Sequence, residues 1–108
     1  MPSSDAPDNS RSAQGELDPI IHSPARLKIL TVLKEVESAD FLFILRQTSL
    51  TRGNLSSHLS KLETVNYVTI TKEFVDKIPH TLIQLTEAGK TALETYRQQM
   101  LRRLERLK

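Results

Sequence analysis

Cysteine is absent from this 108-residue chain, which removes disulfides, thiolate metal sites and cysteine nucleophiles from consideration. Glycine occurs only three times. No glycine-rich phosphate loop, paired-carboxylate motif or nucleophile motif can be found, so the sequence offers nothing to an enzyme. No apolar run approaches the ~18 residues of a membrane span, and the N-terminus lacks the basic-then-apolar pattern of a signal peptide. The expectation is a cytoplasmic protein without a membrane partner. A large charge imbalance is missing as well: 15 Lys and Arg stand against 13 Asp and Glu, a formal net charge of +2. That balance permits nucleic-acid binding without demonstrating it, so the placement of the charges must decide. What remains is 38% hydrophobic and 26% charged, ordinary for a soluble globular protein. The length suits one domain with one modest core and a tail.

Residues 1–16 contain no large apolar side chain after Met1. They cannot bury enough surface to offset the entropy of ordering and read as a flexible N-terminal arm. The domain is expected over 17–108. Asp18-Pro19 can open a short turn through Ile20 and Ile21, and Ser23-Pro24 reads as a helix start, with serine as N-cap and proline at the first helical position. The helix should run to about Val36. Its apolar residues Leu27, Ile29, Leu30, Val32, Leu33 and Val36 cover more than half the circumference, so it should be buried on two sides. His22 at its entrance reads as a surface or capping histidine. Ser38-Ala39-Asp40 then caps Phe41–Gln47, whose five consecutive apolar residues could be a buried strand by periodicity alone. The acidic cap and the Arg46-Gln47 end favour a short helix. Such a helix cannot bury five adjacent large side chains, so Phe43 or Leu42 is surplus and points to an interface.

The stretch Thr51–Val65 organises the rest. Leu55, Leu59 and Leu62 stack on one helical stripe, and Gly53, Ser57, Ser60, Lys61 and Thr64 fall roughly opposite. Most surface helices fill that face with Glu and Lys pairs. This one carries small hydroxyl side chains, a glycine and a lysine. Such a face can approach another molecule closely and still offer hydrogen bonds and positive charge, which suits the major groove of DNA. Thr48-Ser49-Leu50 is a short connection between the two helices, so together they make a helix-turn-helix. Asn66 ends the second helix in the left-handed conformation that asparagine tolerates.

Val68–Lys72 and Thr81–Leu85 are β-prone segments, and Pro79 and Asp76 break the pattern between them, which reads as a hairpin with a long loop from Glu73 to His80. Thr86-Glu87 starts a last helix, about 86–107. On it Leu93, Tyr96, Met100, Leu104 and Leu107 step by three or four, a seam for another helix. Beside the seam, Arg97, Arg102, Arg103, Arg106 and Lys108 are favourable near a helix C-terminus without any further role.

Helix, helix, turn, helix, hairpin, helix is the order of elements in winged helix-turn-helix proteins. Ser23-Pro24-Ala25-Arg26-Leu27-Lys28-Ile29-Leu30 resembles the opening of ArsR-type regulators. Asn54–Glu63 followed by Tyr67-Val68 is similar to their recognition helix and first wing strand. Leu85-Thr86-Glu87-Ala88-Gly89-Lys90 resembles the start of the final helix in MarR-like and PadR-like relatives. The resemblance covers residues 17–100 and implies an α+β, mainly α, winged helix-turn-helix with a two-stranded hairpin wing and a long C-terminal dimerisation helix. It implies a transcriptional regulator acting as a homodimer on double-stranded DNA, with residues 51–65 in the major groove.

Carried over position by position, the DNA contacts would be Thr51, Arg52, Asn54, Ser56, Ser57, Ser60 and Lys61 on the helix and Lys72, Lys77, His80 and Thr81 on the wing. The dimer contacts would be Leu93, Tyr96, Met100, Leu104 and Leu107. His58 matches a family histidine but lies only about 60° from the leucine stripe, which leaves a bond to neighbouring backbone or a phosphate contact. Two features depart from the pattern: the wing tip has Asp76, Lys77 and Ile78 where relatives carry arginine, and Phe41–Leu45 is unusually apolar. No metal or cofactor is expected, since the thiolate site is impossible and the last helix has no histidine. The sequence leaves open whether a small effector exists. The alternative reading is a winged helix used for protein–protein interaction without DNA.

Overall fold

The computed structural model describes residues 16–108. The expected N-terminal arm, residues 1–16, lies outside them apart from Glu16. Asp18 opens the fold by gathering one turn: its carbonyl accepts from the amides of Ile21 and His22, and its Oδ1 from the amide of Ile20 at 2.9 Å. The turn drives Ile21 fully into the core.

Helix α1, Pro24–Val36, begins as the sequence predicts, with the Ser23 side chain accepting from the Arg26 amide and proline in the first turn. It buries Ile29, Leu30 and Leu33, the stripe that three- and four-residue steps place on one face. Glu37 ends it at φ 70°. The next residues differ from expectation. Ser38–Asp40 is a strand, β1, as well as a cap. Asp40 Oδ1 accepts from the Phe43 amide at 2.9 Å and starts helix α2, Phe41–Thr48. The short-helix reading of the apolar run holds. Ile44 is fully buried, Phe41, Phe43 and Leu45 pack against the core in part, and Leu42 is the surplus side chain, 44% exposed.

Ser49 turns the chain in the left-handed region, and Thr51 caps helix α3, Arg52–Thr64, with its Oγ1 accepting from the Asn54 amide at 3.1 Å. The end of α3 is a Schellman motif: the Tyr67 amide donates to Leu62 O and the Asn66 amide to Glu63 O, with Asn66 at φ 65°. These bonds satisfy carbonyls the helix end would otherwise orphan.

Strands β2, Val68–Val75, and β3, Ile78–Leu85, form the wing. The long loop expected over 73–80 is instead ladder on both sides of a two-residue turn, Asp76-Lys77. Both turn residues have positive φ, 52° and 67°, the combination that a type I′ hairpin requires. Pro79 does not break the ladder. The closing pair of such a hairpin, here Val75 opposite Ile78, is hydrogen-bonded, so the next pair, Phe74 opposite Pro79, needs no proline N–H on that side. On the other side β1 pairs only with residues 82–84. The two-stranded hairpin wing is as expected, and β1 joins it to make a three-stranded antiparallel sheet in the order β1-β3-β2.

Helix α4, Glu87–Glu105, is capped by Thr86, whose Oγ1 accepts from the Gly89 amide and donates to Asn66 O. The Thr86 amide donates to Tyr67 O. At Gly89 a Cβ would lie 2.2 Å from Tyr67 O, so only glycine lets α4 dock on the α3–β2 corner. Tyr67 itself reaches back to the first turn, its hydroxyl donating to Asp18 Oδ2. Burial, with that bond second, pushes the Tyr67 hydroxyl above its ordinary range. The core thus collects Ile21, three residues of α1, Ile44, the α3 leucines, Val68, Ile83, Leu85 and Tyr96 around one centre.

Candidate nucleic-acid interface

Helix α3 has four distinct sides. Leu55, Leu59 and Leu62 are buried at 3% exposure or less, which fixes the rotation of the helix. With 100° per residue, Gly53, Asn54, Ser57, Ser60, Lys61 and Thr64 are then carried outward, and all six are exposed. Among them Thr64 turns its hydroxyl back to Ser60 O at 2.9 Å. Gly53 has open space where a Cβ would stand, with nothing within 4 Å. No contact inside the protein therefore requires a glycine at this position. Thr51 and Arg52 lead at the N-terminal end, both exposed. The Thr51 hydroxyl is engaged as the cap, accepting from the Asn54 amide, and its proton remains available to a partner.

The third side of α3 faces the wing. Ser56, Ser60 and Glu63 line an open cleft of about 330 Å³ with Phe41, Ile70, Lys72 and Thr81. Lys72 and Thr81 are register partners, so their side chains stand on the same face of the hairpin. Phe74 and Pro79 continue that face toward the tip. His80 is one residue out of phase and points to the opposite face, where its Nδ1 lies 3.9 Å from Asp40 Oδ2. Lys77 stands at the apex of the turn. The wing candidates therefore divide: Lys72 and Thr81 look at α3, Lys77 reaches outward, and His80 stands apart. The tip is apolar, with Phe74 73%, Ile78 58% and Val75 47% exposed.

The fourth side, toward α1, was not legible in the sequence. Arg26 crosses from α1 to α3. Its Nε donates to Ile20 O at 2.6 Å and its Nη1 lies 3.1 Å from His58 Nδ1. His58 thus bonds neither neighbouring backbone nor solvent alone but an arginine 32 residues away. Burial first, then the Arg26 and Lys61 charges, push the imidazole below its ordinary value. Only the helical opening around Arg26 hinted at this residue; nothing in the spacing paired it with His58.

The predicted dimer residues are likewise split by the fold. Tyr96 is 5% exposed and accepts or donates at 2.8 Å with His22 Nδ1, which gives His22 its partner. Leu93 and Met100 pack against the chain's own core. With Leu27, Thr31 and Tyr96 they line an apolar groove of about 440 Å³ between α1 and α4, rimmed by Lys34, Glu35, Glu94 and Arg97. Leu104 and Leu107 are exposed, 52% and 80%, together with Leu101 at 47%. Among the described residues no group of three His, Asp or Glu is placed to hold a metal, and no helix is long and apolar enough to cross a membrane.

Comparison with known proteins agrees with this geometry. Residues 25–104 match the family described as winged helix DNA-binding domain. An uncharacterized protein of Methanocaldococcus jannaschii is 35% identical over 77 residues, which cover 71% of this chain and 84% of that protein. Among solved structures, a transcriptional regulator homologue from Pyrococcus horikoshii superposes with a TM-score of 0.80 at 26% identity, covering 91% of this chain and 94% of that one. A mutant MarR from E. coli complexed with operator DNA shares the fold at a TM-score of 0.66 and 23% identity, covering 82% of this chain and 62% of its own.

Proposed function

The chain belongs to the family of winged helix DNA-binding domains, and we propose that it acts as a homodimer that binds specific duplex sites through α3 and so regulates transcription. A DNA-binding transcriptional regulator, rather than an enzyme, is what the family and its neighbours support. One observation carries the finer reading. The outward side of α3 presents Gly53, Asn54, Ser57, Ser60 and Lys61 to solvent, while three buried leucines hold the helix in that orientation. Amide and hydroxyl groups can read base edges, Lys61 and Arg52 can neutralise phosphates, and the bare Gly53 lets the helix approach closely. The cleft beside it, with Lys72 and Thr81, offers a backbone strand a second set of donors. In the mutant MarR of the same fold, the bound partner is operator DNA.

A second copy would cover the exposed leucines of α4 and seal the apolar groove at α1. Leu101 and Leu104 continue α4 past Leu93 and Met100, Leu107 follows just beyond its end, and apolar surface of this extent left in water invites association. Two α3 helices in successive major grooves would call for an approximately palindromic site.

The test is selection of bound sequences from random duplexes, followed by a salt titration on the winning site. The expected result is a palindromic consensus, with log K falling against log salt by about 0.9 per phosphate contact. Arg52→Ala and Lys61→Ala should each reduce that slope. Failure of the wild-type protein to bind duplex at low salt would refute the reading in favour of the protein-interaction alternative, for which the apolar wing tip would be the first surface to examine.

A further inference from the structure

Helix α3 is flanked on one side by the wing and on the other by α1. A helix seated in a major groove meets a phosphate strand on each side. The wing flank is furnished with Lys72 and Thr81. The α1 flank carries the Arg26–His58 pair and the neighbouring Lys61. We infer that Arg26, His58 and Lys61 form a second phosphodiester-binding site on α3, in which Arg26 orients His58 so that its Nε2–H donates to a DNA phosphate.

The inference follows from which atoms can donate. A guanidinium has donors only, so across the 3.1 Å contact His58 Nδ1 must accept. The ring's single proton is then left on Nε2, on the far side from Arg26. Gln99 Nε2 is the one buried side-chain nitrogen or oxygen without a partner among the described residues. His58 Nε2 also lacks a protein partner there, so it must be open to solvent. Arg26 is itself fixed, because its Nε is held by Ile20 O at 2.6 Å. The imidazole therefore cannot swap tautomers without forfeiting the arginine. Burial and the two nearby cations keep it neutral at neutral pH. Such a group is a donor of defined direction beside the positive charge of Arg26 and Lys61, which suits an anionic oxygen. His58 makes the contact, and Arg26 is its positioning residue.

This rests on the DNA reading above, and the experiment separates the two. In the free, wild-type protein, nitrogen NMR of the imidazole should show a single tautomer with the proton on Nε2, and Arg26→Met should produce a tautomer mixture. A mixture in the wild type would overturn the inference. On adding a mixed-sequence duplex at low salt, the His58 Nε2–H resonance should shift. His58→Asn keeps an acceptor for Arg26 near the Nδ1 position and removes the outer donor, so it should weaken duplex binding roughly tenfold, with little change in salt slope because a neutral donor displaces no counterion. His58→Gln, which restores a donor near the Nε2 position, should recover most of that loss. If the wild type binds duplex but His58→Asn binds equally well and the resonance stays put, the second site is refuted while the DNA reading stands. If the wild type does not bind at all, both fall.

Discussion

Replacing each of two helical glycines by alanine should move stability in opposite directions. Alanine is normally favoured over glycine inside a helix by about 0.5–1 kcal/mol. At Gly53 the added methyl meets nothing within 4 Å, so Gly53→Ala should realise that gain. At Gly89 the methyl would stand 2.2 Å from Tyr67 O, 2.9 Å from Leu85 Cδ1 and 3.0 Å from Tyr67 C. Two of these are backbone atoms that cannot swing aside, so α4 would have to retreat by most of an ångström. The retreat would strain the Thr86 amide bond to Tyr67 O and the Thr86 hydroxyl bond to Asn66 O, each worth about 1 kcal/mol. With the packing loss beside Leu85, the net cost should be roughly 2–3 kcal/mol after the propensity gain. For a domain of this size that lowers Tm by roughly 10–20 °C. Thermal melts and urea titrations followed by circular dichroism measure both variants. A Gly89→Ala protein as stable as the wild type would refute the docking argument. Gly53→Ala has a second readout: if α3 enters a groove closely, this more stable protein should bind duplex less tightly.

Three further outcomes follow from single features. Lys77 sits at φ 67° in the type I′ turn, which costs a non-glycine residue roughly 1 kcal/mol, so Lys77→Gly should raise the urea midpoint with an unchanged m-value. His58 has a lowered pKa in the folded state. Between its unfolded value near 6.5 and its folded value, the unfolded chain binds the extra proton, so stability should fall as pH drops below about 6.5 and flatten once folded His58 titrates. His58→Asn should lose that component in urea titrations repeated across the window. Leu104→Glu places a charge on the exposed stripe of α4 and should leave the melting profile of the isolated fold intact while sedimentation shifts from dimer to monomer. A wild-type protein that sediments as a monomer at micromolar concentration would remove the ground for that expectation.

Local chemistry determined much of this protein by itself. Ser23, Asp40, Thr51 and Thr86 cap helices because a hydroxyl or carboxylate three residues before an amide satisfies it, and that signal is contained in a few adjacent residues. Leu55, Leu59 and Leu62 set the outward side of α3 by period alone, so the candidate DNA face could be read before any fold was known. Asn66 announced its left-handed turn in the same way.

Tertiary structure decided what depends on distant segments meeting. Ser38–Asp40 is too short to show a strand period and became one only by pairing with Leu82–Gln84. The wing ladder ran through Pro79 because that residue's missing N–H falls where no partner strand needs it, which only the register reveals. Period 3.6 placed Tyr96 on the α4 seam, yet the neighbouring first turn gave it His22 and buried it, leaving the leucines beyond it exposed. The pairing of Arg26 with His58 joins residues 32 apart in the chain. No local rule encodes such a contact, because its energy exists only after α1 and α3 have packed their apolar stripes and brought two polar edges together.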